Sequence, residues 1–409
     1  MMEDAVIDSG NIAWILTATA LVLMMTIPGL ALFYGGMVRR KNVLSTLMQS
    51  LGATAIVTVL WALIAYSLAF SDGGGLNTFV GGLSRIGLTG VTPDTMSGDL
   101  PENLFFVFQL TFAIITVAII AGAAVERIRF SAFMIFAAAW LILVYAPICH
   151  WVWGGGFLSD AGVLDFAGGA VVHINAGVAG LVLAKVVGPR RGYPGSQMMP
   201  DNLVLTVIGA GLLWVGWFGF NGGSALAADG AAAHAFVTTQ LAAASALLTW
   251  IIIEWLRRGK ASVLGAASGA IAGLVAITPA AGFVPAWAAF IIGAAGAAGA
   301  YWGVTALKRW GKWDDTLDAF GLHGVGGLVG AILTGVFASE AIGGAPGAIE
   351  GNLMQVFTQT WGALAAAVYC GAVTWVILFV LSKFMTLRVS EEDEVTGLDT
   401  TLHGESVAS

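Results

Sequence analysis

The chain has 409 residues, of which 58% are hydrophobic and only 10% charged, and its mean hydropathy is +0.88. Such a composition excludes a soluble globular domain of this size and indicates a protein with many membrane spans. The formal charge of −7 includes no basic stripe that would suit nucleic acid. Cys149 and Cys370 both lie in apolar runs, which argues against a disulfide framework or a thiolate metal cluster.

In chain order, Met1 to Asp8 is acidic where a secretory signal would be basic, so the first apolar run is expected to stay as a span. A hydrocarbon core about 30 Å thick needs about 20 apolar helical residues. That length divides the sequence into eleven candidate spans, at approximately 11–37, 44–70, 103–125, 131–153, 168–187, 203–223, 234–256, 262–281, 285–307, 318–337 and 355–384. Residues 71–102 form a longer Gly-rich loop with little basic charge.

The basic residues supply a topology, because they favour the cytoplasmic side of a membrane. Arg39, Arg40 and Lys41 follow the first span, Arg127 and Arg129 the third, and Lys185, Arg190 and Arg191 the fifth. Arg257, Arg258 and Lys260 follow the seventh, Lys308, Arg309 and Lys312 the ninth, and Lys383 and Arg388 the eleventh. Sixteen of the seventeen basic residues thus agree with an outside N-terminus and a cytoplasmic C-terminus, Arg85 falling on the other side.

Two glycine-rich stretches carry ionisable groups at membrane depth. One runs from Asp165 to Gly177 and contains His173; the other runs from Asp318 to Gly327 and contains His323. A charged group at the centre of a span costs about 2.5 to 3.5 kcal/mol or more, so each is a functional candidate. Imidazoles bonded to backbone carbonyls at helix contacts are the plainer alternative. With the two motifs in the fifth and tenth spans, two five-helix halves are expected. Five is odd, so the second half must be inserted upside down, a plan known from transporters with a midplane site. The expected fold is therefore an all-α polytopic membrane protein of eleven helices. Residues 1–384 form its transmembrane domain, with inverted halves about 11–187 and 203–337 and an eleventh helix about 355–384, followed by a cytoplasmic tail at 385–409.

Aromatic residues with a few polar neighbours gather near one boundary: Phe108, Gln109, Thr111 and Phe112 in the third span, Trp151 and Trp153 ending the fourth, and Trp217, Phe218, Phe220, Asn221 and Ser224 in and after the sixth. Rings beside a hydroxyl suit a small cation; an interfacial aromatic belt is the other reading of the same residues.

Residues from about 11 to 403 resemble the family of ammonium transporters, methylammonium permeases and Rhesus proteins, in its bacterial ammonium transporter branch. The resemblance is carried by the runs Pro28 to Gly36, Gly122 to Arg127, Asp165 to His173, Gly216 to Asn221 and Gly321 to Gly324. It implies a homotrimer in the cell inner (plasma) membrane with one pore through each subunit, carrying ammonium or ammonia, with methylammonium as an analogue. By the same resemblance Phe112, Trp153 and Ser224 form an external recruitment site and Phe112 and Phe220 a stacked aromatic gate. Asp165 is the buried carboxylate associated with deprotonation, acting by its field or by capping the fifth helix. His173 and His323 are the twin histidines of the pore, with Phe108, Gln109, Trp217, Asn221 and Thr278 in support.

Ammonium matches potassium in size and charge, but it can lose a proton. A pore walled by phenylalanine, tryptophan and aliphatic side chains has no carbonyl ring to replace a cation's hydration shell, so it should refuse ions that cannot shed their charge. Imidazoles, with an ordinary pKa near 6.5, can share or relay a proton. His150, His234 and His403 read as structural or solvated. No third donor stands near His173 and His323 for a metal, and neither a metal set nor a nucleophile–base motif suggests an enzyme, so no cofactor is expected. The tail from Ser390 to Glu405 reads by default as a solvated acidic terminus. Its Gly397-Leu398-Asp399 and His403-Gly404-Glu405 pieces resemble the family's regulatory tail, which implies a PII-type signalling partner, although Ser406 to Ser409 departs from the common aromatic ending. A sensor that binds ammonium but conducts little is the alternative function, weakened by the lack of a fused signalling domain after residue 409. Rhesus-type conduction of ammonia or carbon dioxide is a variant of the first.

Overall fold

In a computed structural model describing residues 8–407, the chain is mostly helical, and among the described residues its sheet is a two-stranded ribbon pairing Met96–Ser97 with Leu100–Pro101. The acidic run at residues 1–7 and the last two residues of the tail lie outside the described residues. Among these, ten helices are long and apolar enough to cross a membrane: α1 Ser9–Met37, α2 Arg40–Phe70, α3 Glu102–Ala121, α4 Phe130–Asp160, α5 Gly169–Val187, α6 Leu203–Gly223, α7 Gly230–Arg258, α9 Ala286–Gly311, α10 Phe320–Phe337 and α11 Met354–Phe384. The eighth, α8 Val263–Ile277, has 15 residues and would rise only about 22 Å.

Two spans stop short of the lengths the hydropathy gave them. The helix α8 ends before Pro279, which has no N–H with which to continue it, and the chain turns through 278–283. Its broken end pairs with the segment leading into α5: Phe166 N–H donates to Pro279 O at 3.1 Å and Ala167 N–H to Thr278 O at 3.2 Å. In the same way α3 ends at Ala121, and Gly122 to Val125, apolar enough to read as span, belong with Glu126 and Arg127 to a buried turn.

Small residues set the helix contacts. The helices α5 and α10 cross at the centre, with α5 packed on α3, the most deeply buried of the long spans; α1 lies along α6, and α7, α8 and α9 pack on one another. A Cβ on Gly177 of α5 would collide with the backbone of Gly324 in α10, so the two backbones touch there. The helix α11 braces this pair. Gln359 Nε2 donates to Leu164 O at 2.6 Å, just ahead of α5, and Gln359 Oε1 accepts from Leu164 N–H at 2.7 Å.

At the opposite end from Trp153, buried charges hold the helix ends together. Glu126 is paired with Arg39 at 3.0 Å and Arg190 at 2.8 Å, and accepts from Asn42 Nδ2 at 2.9 Å. Arg190 continues to Asp314 at 2.7 Å. Burial pushes both carboxyls up, but Arg190 and Arg39 beside Glu126, and Arg190 and Arg127 beside Asp314, hold each below its ordinary value. Arg127 is fully buried and spends its guanidinium on Gly188 O, Thr316 Oγ1, Ala123 O and Asp314 O, joining the ends of α3 and α5 to the loop before α10.

The tail is not a solvated acidic run. It folds into α12 Glu391–Thr396, opened by a reciprocal Ser390–Asp393 cap, and α13 Leu398–His403. Both pack back on the chain through the same acidic residues. Glu394 accepts from Arg191 N–H at 2.6 Å and from Arg388 Nη2 at 2.7 Å, Asp399 accepts from Ser45 N–H at 2.8 Å, and Leu398 N–H donates to Asn42 Oδ1 at 2.9 Å. Its negative charge is thus partly spent on the first turn of α2, where four backbone donors need partners.

Glu126→Gln should lower the unfolding temperature of the detergent-solubilised protein, with a loss of about 1 to 2 kcal/mol from exchanging charge-assisted hydrogen bonds to Arg39 and Arg190 for neutral ones while Arg190 keeps Asp314. Because the folded carboxyl titrates below its ordinary 4.5, the gap between wild type and variant should be full above that pH and close as pH falls below it. A gap independent of pH would remove the charge from the explanation.

Candidate functional site

The site begins with two helices that start inside the protein. Asp165 caps α5 with both carboxylate oxygens: Oδ1 accepts from Gly168 and Gly169 N–H at 3.0 and 2.5 Å, and Oδ2 from Ala170 and Val171 N–H at 2.8 and 3.2 Å. All four donors are otherwise orphan N–H groups of a helix start. Gly168 takes φ +111°, a conformation costly for a side chain, to turn them onto the one carboxylate. Asp165 is therefore a cap and does not line the cavity above it.

The tenth helix repeats the device from the other end. The sequence reading paired Asp318 with His323, but the cap is Asp315, whose oxygens accept from Ala319 N–H at 3.0 Å and Phe320 N–H at 2.8 Å. Asp318 is instead tied to Lys308 Nζ at 2.7 Å. Asp315 precedes His323 by eight residues, as Asp165 precedes His173, and that shared spacing was the signal available in the sequence. Both histidines lie in π-helical turns, Gly169–Ile174 and Phe320–Val325, a bulge found often at functional sites.

On the Trp153 side a cavity of about 290 Å³ is lined by Phe70, Phe105, Gln109, Phe112, Trp153, Ser224 and neighbours. Trp153 Nε1 donates to Asp165 O at 2.9 Å, which fixes its indole, and its ring meets Phe112 nearly edge-on at 5.9 Å. Ser224 Oγ donates its proton to Phe220 O at 2.8 Å, so its lone pairs remain for a cation in the cavity. Gln109 Oε1 is buried with no hydrogen-bond partner among the described residues, a second acceptor on that wall. Phe108 stands behind the wall, edge-on to Phe112 at 5.0 Å.

Beneath the cavity, the rings of Phe112 and Phe220 lie against each other, with centroids 4.3 Å apart and both side chains essentially buried. The aromatic file continues from Phe220 to His173 at 6.0 Å, from Trp217 to His173 at 5.3 Å, and from His173 to His323 at 5.3 Å. Trp217 is held by its Nε1 donating to Thr278 Oγ1 at 2.9 Å, at the broken end of α8. Asn221 lies off this line and ties α6 to α7, its Nδ2 donating to Thr239 Oγ1 at 2.8 Å.

The two imidazoles meet Nδ1 to Nδ1 at 3.2 Å. A contact that short between nitrogens holds one proton, so a neutral pair must consist of one Nδ1–H donor and one Nδ1 acceptor. The donor ring then presents a bare Nε2 and its neighbour an Nε2–H. His173 Nε2 has no hydrogen-bond partner among the described residues. His323 and Trp217 also border a void of about 10 Å³ among Leu30, Phe33, Ile115, Ile119, Leu213 and Ile271, room for about one water-sized molecule.

The remaining histidines stand apart from this file. His150 bonds the carbonyls of Ala69 and Asn77 at 2.9 and 2.6 Å, His234 Nε2 the carbonyl of Val284 at 2.8 Å, and His403 packs edge-on against Phe130. Among the described residues no three His, Cys, Asp or Glu side chains are placed to hold a metal ion.

Fold and site together define a polytopic helical membrane protein with an aromatic, imidazole-bearing file buried along its centre. The chain belongs to the Ammonium Transporter Family, whose sequence model matches residues 13–408. It is 51% identical over 400 residues to the ammonium transporter of Bacillus subtilis (strain 168), covering 97% of this chain and 98% of that protein. It is 50% identical over 407 residues to that of Aquifex aeolicus (strain VF5), covering 98% and 94%. Among solved structures it resembles Saccharomyces cerevisiae Mep2, with a TM-score of 0.89 at 40% identity over 94% of this chain and 88% of that one. It also resembles a sensor Amt protein, with a TM-score of 0.90 at 28% identity over 97% and 98%.

Gly177→Ala should destabilise the protein by about 1 to 3 kcal/mol through overpacking against Gly324, read as a lower unfolding temperature in detergent. Gly211→Ala, on α6 with open space where its Cβ would stand, should be neutral or stabilising. Equal effects at the two positions would refute the close backbone contact.

Proposed function

We propose that the protein carries ammonium across the cell inner membrane, taking up NH4+ at Phe112, Trp153 and Ser224, removing a proton there, and passing NH3 along His173 and His323. The observation that carries this reading is the 3.2 Å imidazole pair directly below the paired rings of Phe112 and Phe220 in otherwise apolar surroundings. The rings of Phe112 and Trp153 and the lone pairs of Ser224 and Gln109 replace part of the ion's hydration. Phe112 and Phe220 must part to admit a molecule, and a permanent ion passing between them would lose the rest of its water with little to replace it. Asp165 favours the cation electrostatically from beneath the mouth while keeping its oxygens on the backbone. Ammonia, with three N–H groups and one lone pair, fits the exposed nitrogens of the pair as donor to a bare Nε2 and acceptor from an Nε2–H. The separated proton travels either along the pair or by another route.

In the same proposal the halves 11–187 and 203–337 are inverted repeats, which the antiparallel caps of α5 and α10 support, and the N-terminus faces outside. Three copies assemble with one pore in each. Residues 385–409 act as a cytoplasmic regulatory tail open to a PII-type signalling protein, methylammonium is an alternative substrate, and the protein acts as a transporter and not as an enzyme.

A second reading, an ammonium sensor with little flux, is favoured by the likeness to the sensor Amt protein and by the docked tail. Uptake of labelled methylammonium into proteoliposomes, measured together with current, separates the two: transport requires flux, whereas binding without flux selects the sensor. Replacing both His173 and His323 with Leu should cut flux about tenfold or more, from the loss of two polar partners in a dry passage, or admit potassium. Unchanged flux and selectivity in that variant would overturn the role of the pair.

A further inference from the structure

Beside the aromatic mouth lies a second cavity, also about 290 Å³, whose walls include Tyr66, Phe70, Ser71, Asp72, Arg85 and Glu102. Phe70 lines both cavities, and Phe105 of the mouth packs edge-on against it at 4.9 Å, so a single aromatic wall separates them. The first chamber is mostly apolar. The second is mostly polar, adding the hydroxyls of Ser84 and Ser97 to that of Ser71.

Its charge is unbalanced. Glu102, at the start of α3, is only 4% exposed, and its Oε1 accepts from Arg85 Nε at 2.8 Å and from the Tyr66 hydroxyl at 3.2 Å. Its Oε2 has no hydrogen-bond partner among the described residues. A buried carboxylate oxygen left without a donor is costly and needs a reason. Asp72 adds a second carboxylate, held through Oδ1 by Gly74 N–H at 2.8 Å. Arg85 is the one basic residue between positions 71 and 102, against Asp72, Asp94, Asp99 and Glu102, so both the chamber and its loop carry net negative charge.

We propose that this chamber is a second site for a small monovalent cation, which holds ammonium beside the mouth and delivers it past Phe70 to Phe112, Trp153 and Ser224. Only the identity of the cation rests on the transport reading; the site itself rests on the chamber. Two rings, three hydroxyls and a half-free carboxylate suit a weakly hydrated ion that exchanges quickly. Divalent ions need six or more oxygen ligands, and no group of three acidic, His or Cys side chains stands here among the described residues.

The test uses the full-length purified protein and thallium(I), a heavy monovalent cation visible by anomalous scattering in crystals. Thallium should occupy the chamber, stay there when Ser224→Ala and Trp153→Leu remove the mouth's own ligands, and leave it in Asp72→Asn. In proteoliposomes Asp72→Asn should raise KM for methylammonium roughly fivefold with kcat nearly unchanged, and Asp72→Glu should restore it. A chamber without thallium in the wild-type protein overturns the site, as does an anion found on Arg85. A KM unmoved by Asp72→Asn overturns the delivery role. Because the thallium readout needs no flux, a chamber that fills in a protein that does not transport would count against the transport reading and leave this site standing.

Discussion

Two imidazoles can stand 3.2 Å apart in this protein because two helix backbones touch. That constraint shapes the centre of the molecule. At Gly177 there is no space for a side chain, so α5 and α10 approach to backbone contact at Gly324 and bring His173 and His323 together from opposite ends. Each helix begins at a carboxylate that gathers its orphan N–H groups, Asp165 for α5 and Asp315 for α10. Without those caps each helix would begin with unsatisfied donors away from water. The π-helical turn that follows each cap then sets the angle at which the imidazole leaves its helix.

The end of the molecule that carries the tail follows the same economy of charge. Glu126, Arg190, Asp314 and Arg127 hold the ends of α3 and α5 to the loop before α10, and Asp314 is the neighbour of the cap Asp315. Asn42 bonds Glu126 through its amide nitrogen and the tail's Leu398 through its oxygen. A continuous run of hydrogen bonds and ion pairs thus leads from the tail helix α13 to the base of the helix that carries His323. Such a run gives the tail's position a physical route to the passage, and on the proposed reading this is where regulation would act.

Hydropathy and the alternation of basic clusters were enough to divide the chain, since a missed span would have thrown every later cluster to the wrong side. The boundaries of α6 fell at 203–223, as expected. What was not legible came from chemistry that composition hides. Gly122 to Val125 reads as span because it is apolar, yet it lies in a buried turn whose backbone groups serve Arg127. Asp315 was overlooked within the polar run Lys312 to Asp315, where the nearer Asp318 drew the pairing, although the eight-residue spacing was present. Asn221 belongs to the same run as Phe220, but a helix turns by about 100° per residue, which points it away from the file and toward Thr239. The acidic tail looked solvated because a sequence does not display the free helix ends that its carboxylates cap.

On the proposed reading, the geometry also explains why the proton matters more than size. Between Phe112 and the void bordered by His323, the polar side-chain atoms along the file are the imidazole nitrogens and the indole N–H of Trp217, and that N–H is already spent on Thr278. An ion of ammonium's size arriving there would exchange a full hydration shell for two neutral rings, at a cost of several kcal/mol or more for a charge in an apolar setting. Potassium has no means of avoiding that cost. Ammonium avoids it by leaving one proton behind, since the neutral molecule needs only the one donor and one acceptor that the pair can offer. Selectivity on this reading needs no coordination cage: a dry passage refuses whatever stays charged.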